Sequence, residues 1–423
     1  MKNLLKKFLI ASAMTGSLFF TSCASAEVYT GEGEYAMSKY ETPAVAEERA
    51  KNIALRYAQE QAGVYIESYS HMKNFELLED EIITIAANVL KFVEKPIIKK
   101  TFMEDGDTIK IFVTVKVEID DKSIEKYLSK SIESRTQVNA QLEELRKANA
   151  AQELQIAELK AKIAESPTVQ NEQQLTEIFA NEDNIFLANQ KIEEGWKLYV
   201  EKKYDAAAEV FDEAVGLNPQ SAQAYMGRGT AFSEIGKYRQ AVEDLNKSLE
   251  LNPNNAGTYL NLGATYADLK QYEKAIENYD KALEIKPKYA MAYFNRGVAF
   301  YYLNRCEEAI ESYTKAIELD PQNEVFYTNR GSAYDESGQY ERGIEDFNAA
   351  IKINPKYASA YNNRGWAYMS IEKYSQAVES FTQAIKLNPN KALYYINRAK
   401  CYHLMGDEKK SRADLDKYHS LKK

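Results

Sequence analysis

The chain has 423 residues, 45% hydrophobic and 28% charged, with a formal net charge of −9. That length allows two to four domains, and the apolar content is enough to bury cores along most of it. The acidic balance, without a Lys/Arg stripe, argues against nucleic acid as a partner. Three scattered cysteines and three histidines argue against a disulfide framework, a metal centre or a metal cofactor.

Residues 1–26 read as an export signal. Lys2, Lys6 and Lys7 form a positive start, Phe8 to Phe20 an apolar core, and Ala24-Ser25-Ala26 a small-residue cleavage site. Phe20-Thr21-Ser22-Cys23 supports a second reading, a lipobox in which Cys23 carries a lipid. Either processing places the chain outside the cytoplasm, in the periplasm or cell envelope, with the membrane involved only through that lipid. No later segment has the ~18 apolar residues of a membrane span.

Residues 27–121 are expected to form a small α+β domain in the order β-α-β-α-β-β. Glu27 to Tyr35 alternates as a strand, interrupted by Gly31 and Gly33. A helix starts at Thr42-Pro43, with Thr42 as N-cap, and carries Ala46, Ala50, Ile53, Ala54, Tyr57 and Ala58 at helical spacing. Gly63 is read as its end and Val64-Tyr65-Ile66 as the next strand. A second amphipathic helix is expected over Leu77 to Val93, then a hairpin of Pro96–Phe102 and Ile109–Ile119 joined through Glu104-Asp105-Gly106-Asp107. The acids Glu79, Asp80 and Glu81 read as a solvated helix face.

The helix, the Tyr65–Tyr69 strand and the hairpin together are similar to the N-terminal domain of flagellar assembly protein T and related envelope lipoproteins. That resemblance implies an envelope-associated module without catalysis.

Residues 122–165 keep a seven-residue register. Leu128, Arg135, Leu142, Asn149, Ile156 and Ile163 form one column, and Ile124, Ser131, Val138, Leu145, Gln152 and Leu159 the other. This predicts a coiled coil, most simply a parallel homodimer, with a lone amphipathic helix as the alternative. Ser166-Pro167 stops it, and the polar residues 166–187 read as a linker.

From Ala188 the chain repeats every 34 residues. Gly195, Gly229, Gly263, Gly297, Gly331 and Gly365 share one position, and Pro219, Pro253, Pro287, Pro321, Pro355 and Pro389 another. Small residues such as Ala207 and Ala241 alternate with large ones such as Phe211, Leu245, Tyr279 and Tyr313. Small positions let two helices approach, large ones fill the gap beside them, and proline ends the second helix. The pattern resembles the tetratricopeptide repeat and implies an α-solenoid of helical hairpins. Six full repeats are read, 188–221, 222–255, 256–289, 290–323, 324–357 and 358–391, followed by a degenerate seventh or cap at 392–423. Overall the chain is expected to be mainly α.

Most of the 31 tyrosines recur at fixed positions and read as core. The Arg228, Arg296, Arg330, Arg364 and Arg398 series is expected to pack its stems on neighbours while each head reaches solvent or a nearby acid, not an anionic ligand. Cys306 and Cys401 read as separate free thiols. No nucleophile, metal or phosphate-cradle motif is present, so the chain reads as a non-enzymatic scaffold without cofactor that binds other proteins or peptides. A purely structural spacer is the alternative.

The resemblance implies that positions two, five, six, nine, twelve and thirteen of each first helix face a ligand. Those positions hold an amide ladder of Asn261, Asn295, Asn329, Asn363 and Asn397. They also hold the rings Phe294, Tyr301, Tyr302 and Trp366, and the acids Glu234, Asp268, Asp335 and Glu336. Position two is never lysine, so the lysine–asparagine clamp for a C-terminal carboxylate is missing. An extended ligand with basic residues and an apolar anchor is expected instead.

Overall fold

The computed structural model describes residues 27–37, 41–72, 86, 89–102, 109–119, 124 and 169–422. The export signal with Cys23, nearly all of the coiled-coil register, the turn at 104–107 and most of the helix expected over 77–93 lie outside those residues. Two units divide the chain, the first ending at Leu187 and the second beginning at Ala188.

The first unit contains β1 (Glu27–Met37), α1 (Pro43–Met72), β2 (Lys91–Phe92), β3 (Ile97–Phe102) and β4 (Ile109–Ile119). β4 pairs antiparallel with β1 along its whole length, from Glu27 opposite Ile119 to Met37 opposite Ile109. On its other side β2 and β3 lie end to end, Lys91 opposite Glu118 and Phe102 opposite Ile109. The alternation of β4 buries Ile111, Val113, Val115, Val117 and Ile119. Against them α1 lays Ala46, Ala50, Ala54 and Ala58, a column of minimal side chains at four-residue spacing. The helix therefore sits so close that a β-carbon at Gly31 or Gly33 would collide with the carbonyl oxygen of Ala54 or Ala50. The two glycines and the alanine column are one packing device.

Three expectations are corrected here: the helix expected over 77–93 does not extend to Val93, because Lys91–Phe92 is strand β2, paired with β4. α1 does not stop at Gly63; it runs on to Met72, and no strand forms at 64–66. A glycine inside a helix costs about 1 kcal/mol. Burying Ile66, fully enclosed with Ile119 and Ile124, contributes about 1.5–3 kcal/mol. The alanine column continues through Ala62 to Ile66, and the helix wins. The third correction concerns 166–187, which is helical from Val169. Helix α2 spans Val169–Val200, because Gln, Asn, Glu and Leu are compatible with helix and neither glycine nor proline interrupts them.

Residues 169–187 of α2 belong to the first unit, and Asp183 among them joins a buried charged cluster. The Arg49 guanidinium, 1% exposed, donates to Glu41 and, at 3.1 Å, to the Tyr35 hydroxyl. That hydroxyl donates to Glu41 at 2.6 Å. Asp183 of α2 lies 3.4 Å from Arg49 and accepts the Thr42 backbone N–H at 3.3 Å. Asp183 thus occupies the N-terminus of α1, where Thr42 was expected to act. Burial pushes the Asp183 carboxyl above its ordinary range.

In the second unit the last part of α2 pairs with α3 (Tyr204–Leu217). The hairpins that follow are α4 (Ala222–Glu234) with α5 (Tyr238–Leu251), and α6 (Ala256–Asp268) with α7 (Tyr272–Ile285). Next come α8 (Ala290–Tyr302) with α9 (Cys306–Leu319), and α10 (Glu324–Glu336) with α11 (Tyr340–Ile353). The last are α12 (Ala358–Ser370) with α13 (Tyr374–Leu387), and α14 (Ala392–Leu404) with α15 (Glu408–Lys422). Each hairpin matches a repeat read from the sequence, including the seventh. A β-carbon at Gly195, Gly297, Gly331 or Gly365 would come within 2.7 Å of the aromatic ring one helix away.

Each first helix closes through a left-handed residue at position fifteen: Lys202, Gly236, Lys270, Asn304, Gly338, Glu372 and Gly406. The next N–H then reaches back five residues, as from Lys237 to the Phe232 carbonyl at 2.8 Å and from Arg305 to Phe300 at 3.0 Å.

Candidate interaction surface

Among like helices the closest approaches are between successive first helices, α4 with α6 and onward to α12 with α14. Each second helix packs chiefly against the first helices flanking it. In a curved array the helices lying closest together are on the inner side, so the first helices line the inner face.

The arginine series is consumed within the array. Arg330 is bidentate to Asp346, 2.8 Å for each bond, and reaches Thr314 of the preceding repeat at 3.1 Å. Arg398 repeats the arrangement with Asp414 and Thr382, and Arg228 with Asp244 and Asp212. Arg296 and Arg364 bind a serine in place of the own-repeat acid. Each arginine therefore ties a first helix to its own second helix and to the one before. Four of the five meet a nearby acid, as expected from the sequence, whereas Arg364 meets Ser380 and Asn348.

The amides do not form a uniform ladder open to a ligand. Asn397 of α14, 5% exposed, donates to Asn362 of α12 at 2.9 Å. Asn362 donates to Asn363, which donates to Ser332 of α10 at 3.2 Å. Asn261 of α6 donates to Thr230 of α4 at 2.9 Å. Asn329 bonds back to the Val325 carbonyl of its own helix, and Asn295 is half-buried on α8. Three of the five amides hold first helix to first helix.

The aromatic residues divide. Phe294 stacks on Phe326 at 4.9 Å and belongs to the core between repeats. Tyr301 is partly buried against that core. Tyr302 is 61% exposed and lies nearly parallel on Tyr272, ring centres 5.1 Å apart. Trp366 is 39% exposed with Lys400 of the next repeat 5.1 Å over its ring. Tyr272 and Lys400 escaped the sequence reading, because one begins a second helix and the other lies on the terminal repeat.

Position thirteen is exposed on every first helix from α4 to α14: Glu234, Asp268, Tyr302, Glu336, Ser370 and Leu404. Glu234 is held by the Tyr199 hydroxyl at 2.8 Å. Burial, and then the nearby Glu234, raise the Asp268 carboxyl above its ordinary range. Asp335 differs: one of its oxygens is buried without a hydrogen-bond partner among the described residues, and burial pushes its carboxyl up to about 7. Cys306 and Cys401 are buried free thiols, and burial pushes the pKa of each thiol up, disfavouring the thiolate. Among the described residues no group of three or more His, Cys, Asp or Glu could hold a metal, and no helix is long and apolar enough to cross a membrane.

Models of the tetratricopeptide repeat match residues 255–322, 312–345 and 358–391, and TPR repeat models match 229–270 and 331–371. A crystal structure of MamA is 31% identical, covering 39% of this chain and 97% of that one, with a TM-score of 0.37. YrrB, described as a TPR protein with an unusual peptide-binding site, is 24% identical over 44% of this chain and 96% of its own, TM-score 0.39. A tetratricopeptide repeat protein from Parabacteroides merdae is 20% identical over 55% and 93%, TM-score 0.46. A search of curated proteins found no match.

Proposed function

This chain belongs to the tetratricopeptide repeat family, and from that premise we propose that it is an exported, non-catalytic scaffold that captures another polypeptide along its inner face. The observation that carries this reading is the exposed column of the first helices. The arginines, the glycine-facing rings and most of the amides are engaged inside the array, whereas position thirteen presents side chains to solvent in six successive repeats. Tyr302 in that column and Trp366 at position nine of α12 add exposed aromatic surface suited to a polypeptide.

The export signal supports a place in the cell envelope, with cleavage after Ala26 or lipidation at Cys23. The seven-residue register of 122–165 supports self-association, which would present more than one array to the partner. The test replaces Tyr302 and Trp366 by alanine in the full mature chain and compares proteins recovered from envelope extract by quantitative mass spectrometry. A partner recovered by the wild type and lost by the helical double variant is expected; equal recovery overturns the reading.

A further inference from the structure

We infer that the inner face selects an extended segment whose cationic side chains recur about every third residue, with an apolar side chain among them. This rests on the reading that the inner face binds a polypeptide, and goes beyond it by stating which one.

The argument starts from the position-thirteen column. On α4, α6, α8 and α10 it runs Glu234, Asp268, Tyr302, Glu336, each exposed to solvent. Packed helices lie about 10 Å apart, and an extended chain advances about 3.3 Å per residue. One step along the column therefore corresponds to about three ligand residues. The matching order is cation, cation, apolar, cation, in whichever direction the segment lies.

Tyr302 is suited to be the apolar contact. Its parallel stack on Tyr272, interplanar angle 6°, and the edge contact of Tyr301, centroids 6.3 Å apart, hold the ring while it stays 61% exposed. A ring already fixed loses little side-chain entropy on binding. The acids are suited to cations. Glu234 is positioned by Tyr199, and burial, followed by the negative charge of Glu234 one repeat away, raises the Asp268 carboxyl above its ordinary range. Among the described residues neither Asp268 nor Glu336 takes part in an ion pair. A ligand cation between these carboxylates relieves repulsion already present in the free protein, and an anionic segment adds to it.

The probes are fluorescein-labelled peptides read by fluorescence anisotropy with the full mature chain at low salt. One has Lys at residues 1, 4 and 10, Phe at 7 and Ser elsewhere; a second is its reverse. A third has the same composition with its lysines adjacent, and a fourth replaces Lys by Glu. One of the first two is expected to bind about tenfold tighter than the third and fourth, with an affinity that falls as salt rises. Glu234→Gln with Asp268→Asn, and separately Tyr302→Ala, should each weaken it by about tenfold, while Glu250→Gln on a second helix leaves it unchanged. Equal binding of the adjacent-lysine peptide overturns the spacing, and equal binding of the Glu peptide overturns the charge selection. If no peptide binds while extract capture still depends on Tyr302 and Trp366, this inference fails and the scaffold reading stands. If that capture fails too, both fail.

Discussion

The buried oxygen of Asp335 occupies the space that a β-carbon on residue 343 would fill. Five other repeats have alanine at that position, Ala207, Ala241, Ala275, Ala309 and Ala377, and only the repeat with Asp335 at position twelve has glycine. The carbonyl oxygen of Gly331 also lies within 3.0 Å of that point. Buried there without a hydrogen-bond partner among the described residues, the Asp335 carboxyl favours its protonated form.

Asp335 should therefore make the array less stable as pH rises. Its folded pKa, up to about 7, exceeds the usual carboxylate value of 3.8. Between those values the unfolded chain loses a proton that the folded chain keeps, so stability falls across that window and levels off above it. Asp335→Asn removes the charge at nearly constant shape. It should be neutral near pH 4 and stabilising by about 1–2 kcal/mol at pH 8, the scale of one buried unsatisfied group. Thermal unfolding of both proteins from pH 4 to 8 measures this. A difference independent of pH would refute the assignment.

The bidentate pair Arg330–Asp346 should be costly to break from one side and cheap to replace as a whole. Arg330→Leu leaves Asp346, 6% exposed, without its partner, and a loss of about 3 kcal/mol is expected. Adding Asp346→Asn should recover most of it. The chain already contains this solution, since the repeat at 256–289 has Leu262 and Asn278 at the same two positions, both buried. Denaturant unfolding of the single and double variants decides it; a double variant no better than the single one would show that the ion pair itself is required.

Lys270 has φ of 59° at a position where Gly236, Gly338 and Gly406 occur in other repeats. A side chain in that region costs about 1–2 kcal/mol, and glycine returns about 0.5–1 kcal/mol of that as unfolded-state entropy. Lys270→Gly should stabilise the array by about 0.5–1 kcal/mol, seen as a higher unfolding midpoint. A lower midpoint would mean that the lysine side chain contributes more than its backbone costs.

Much of the repeat unit was legible in advance because its signal is local and multiplied. A glycine facing a ring recurs at 34-residue spacing, as in Gly297 with Tyr313, and stacking identical units propagates each local pairing. The helix continuing through Gly63 was not legible. Its continuation depends on Ile66 meeting Ile119 and Ile124, residues more than fifty positions away. Asp183 seated at the start of α1 is non-local in the same way.

The sequence by itself determined the helical hairpins, their number and the residues that fill their cores, because 3.6-residue periodicity and close-packing volume act between neighbours along the chain. Only the tertiary structure decided which polar groups remain for a partner. Asn397 and Asn261 occupy the same repeat position as Asn295, yet their amides are committed to Asn362 and Thr230 on adjacent first helices. Hydrogen-bond capacity is finite, and whether a side chain offers it outward or spends it inward depends on what the neighbouring helix places within about 3 Å.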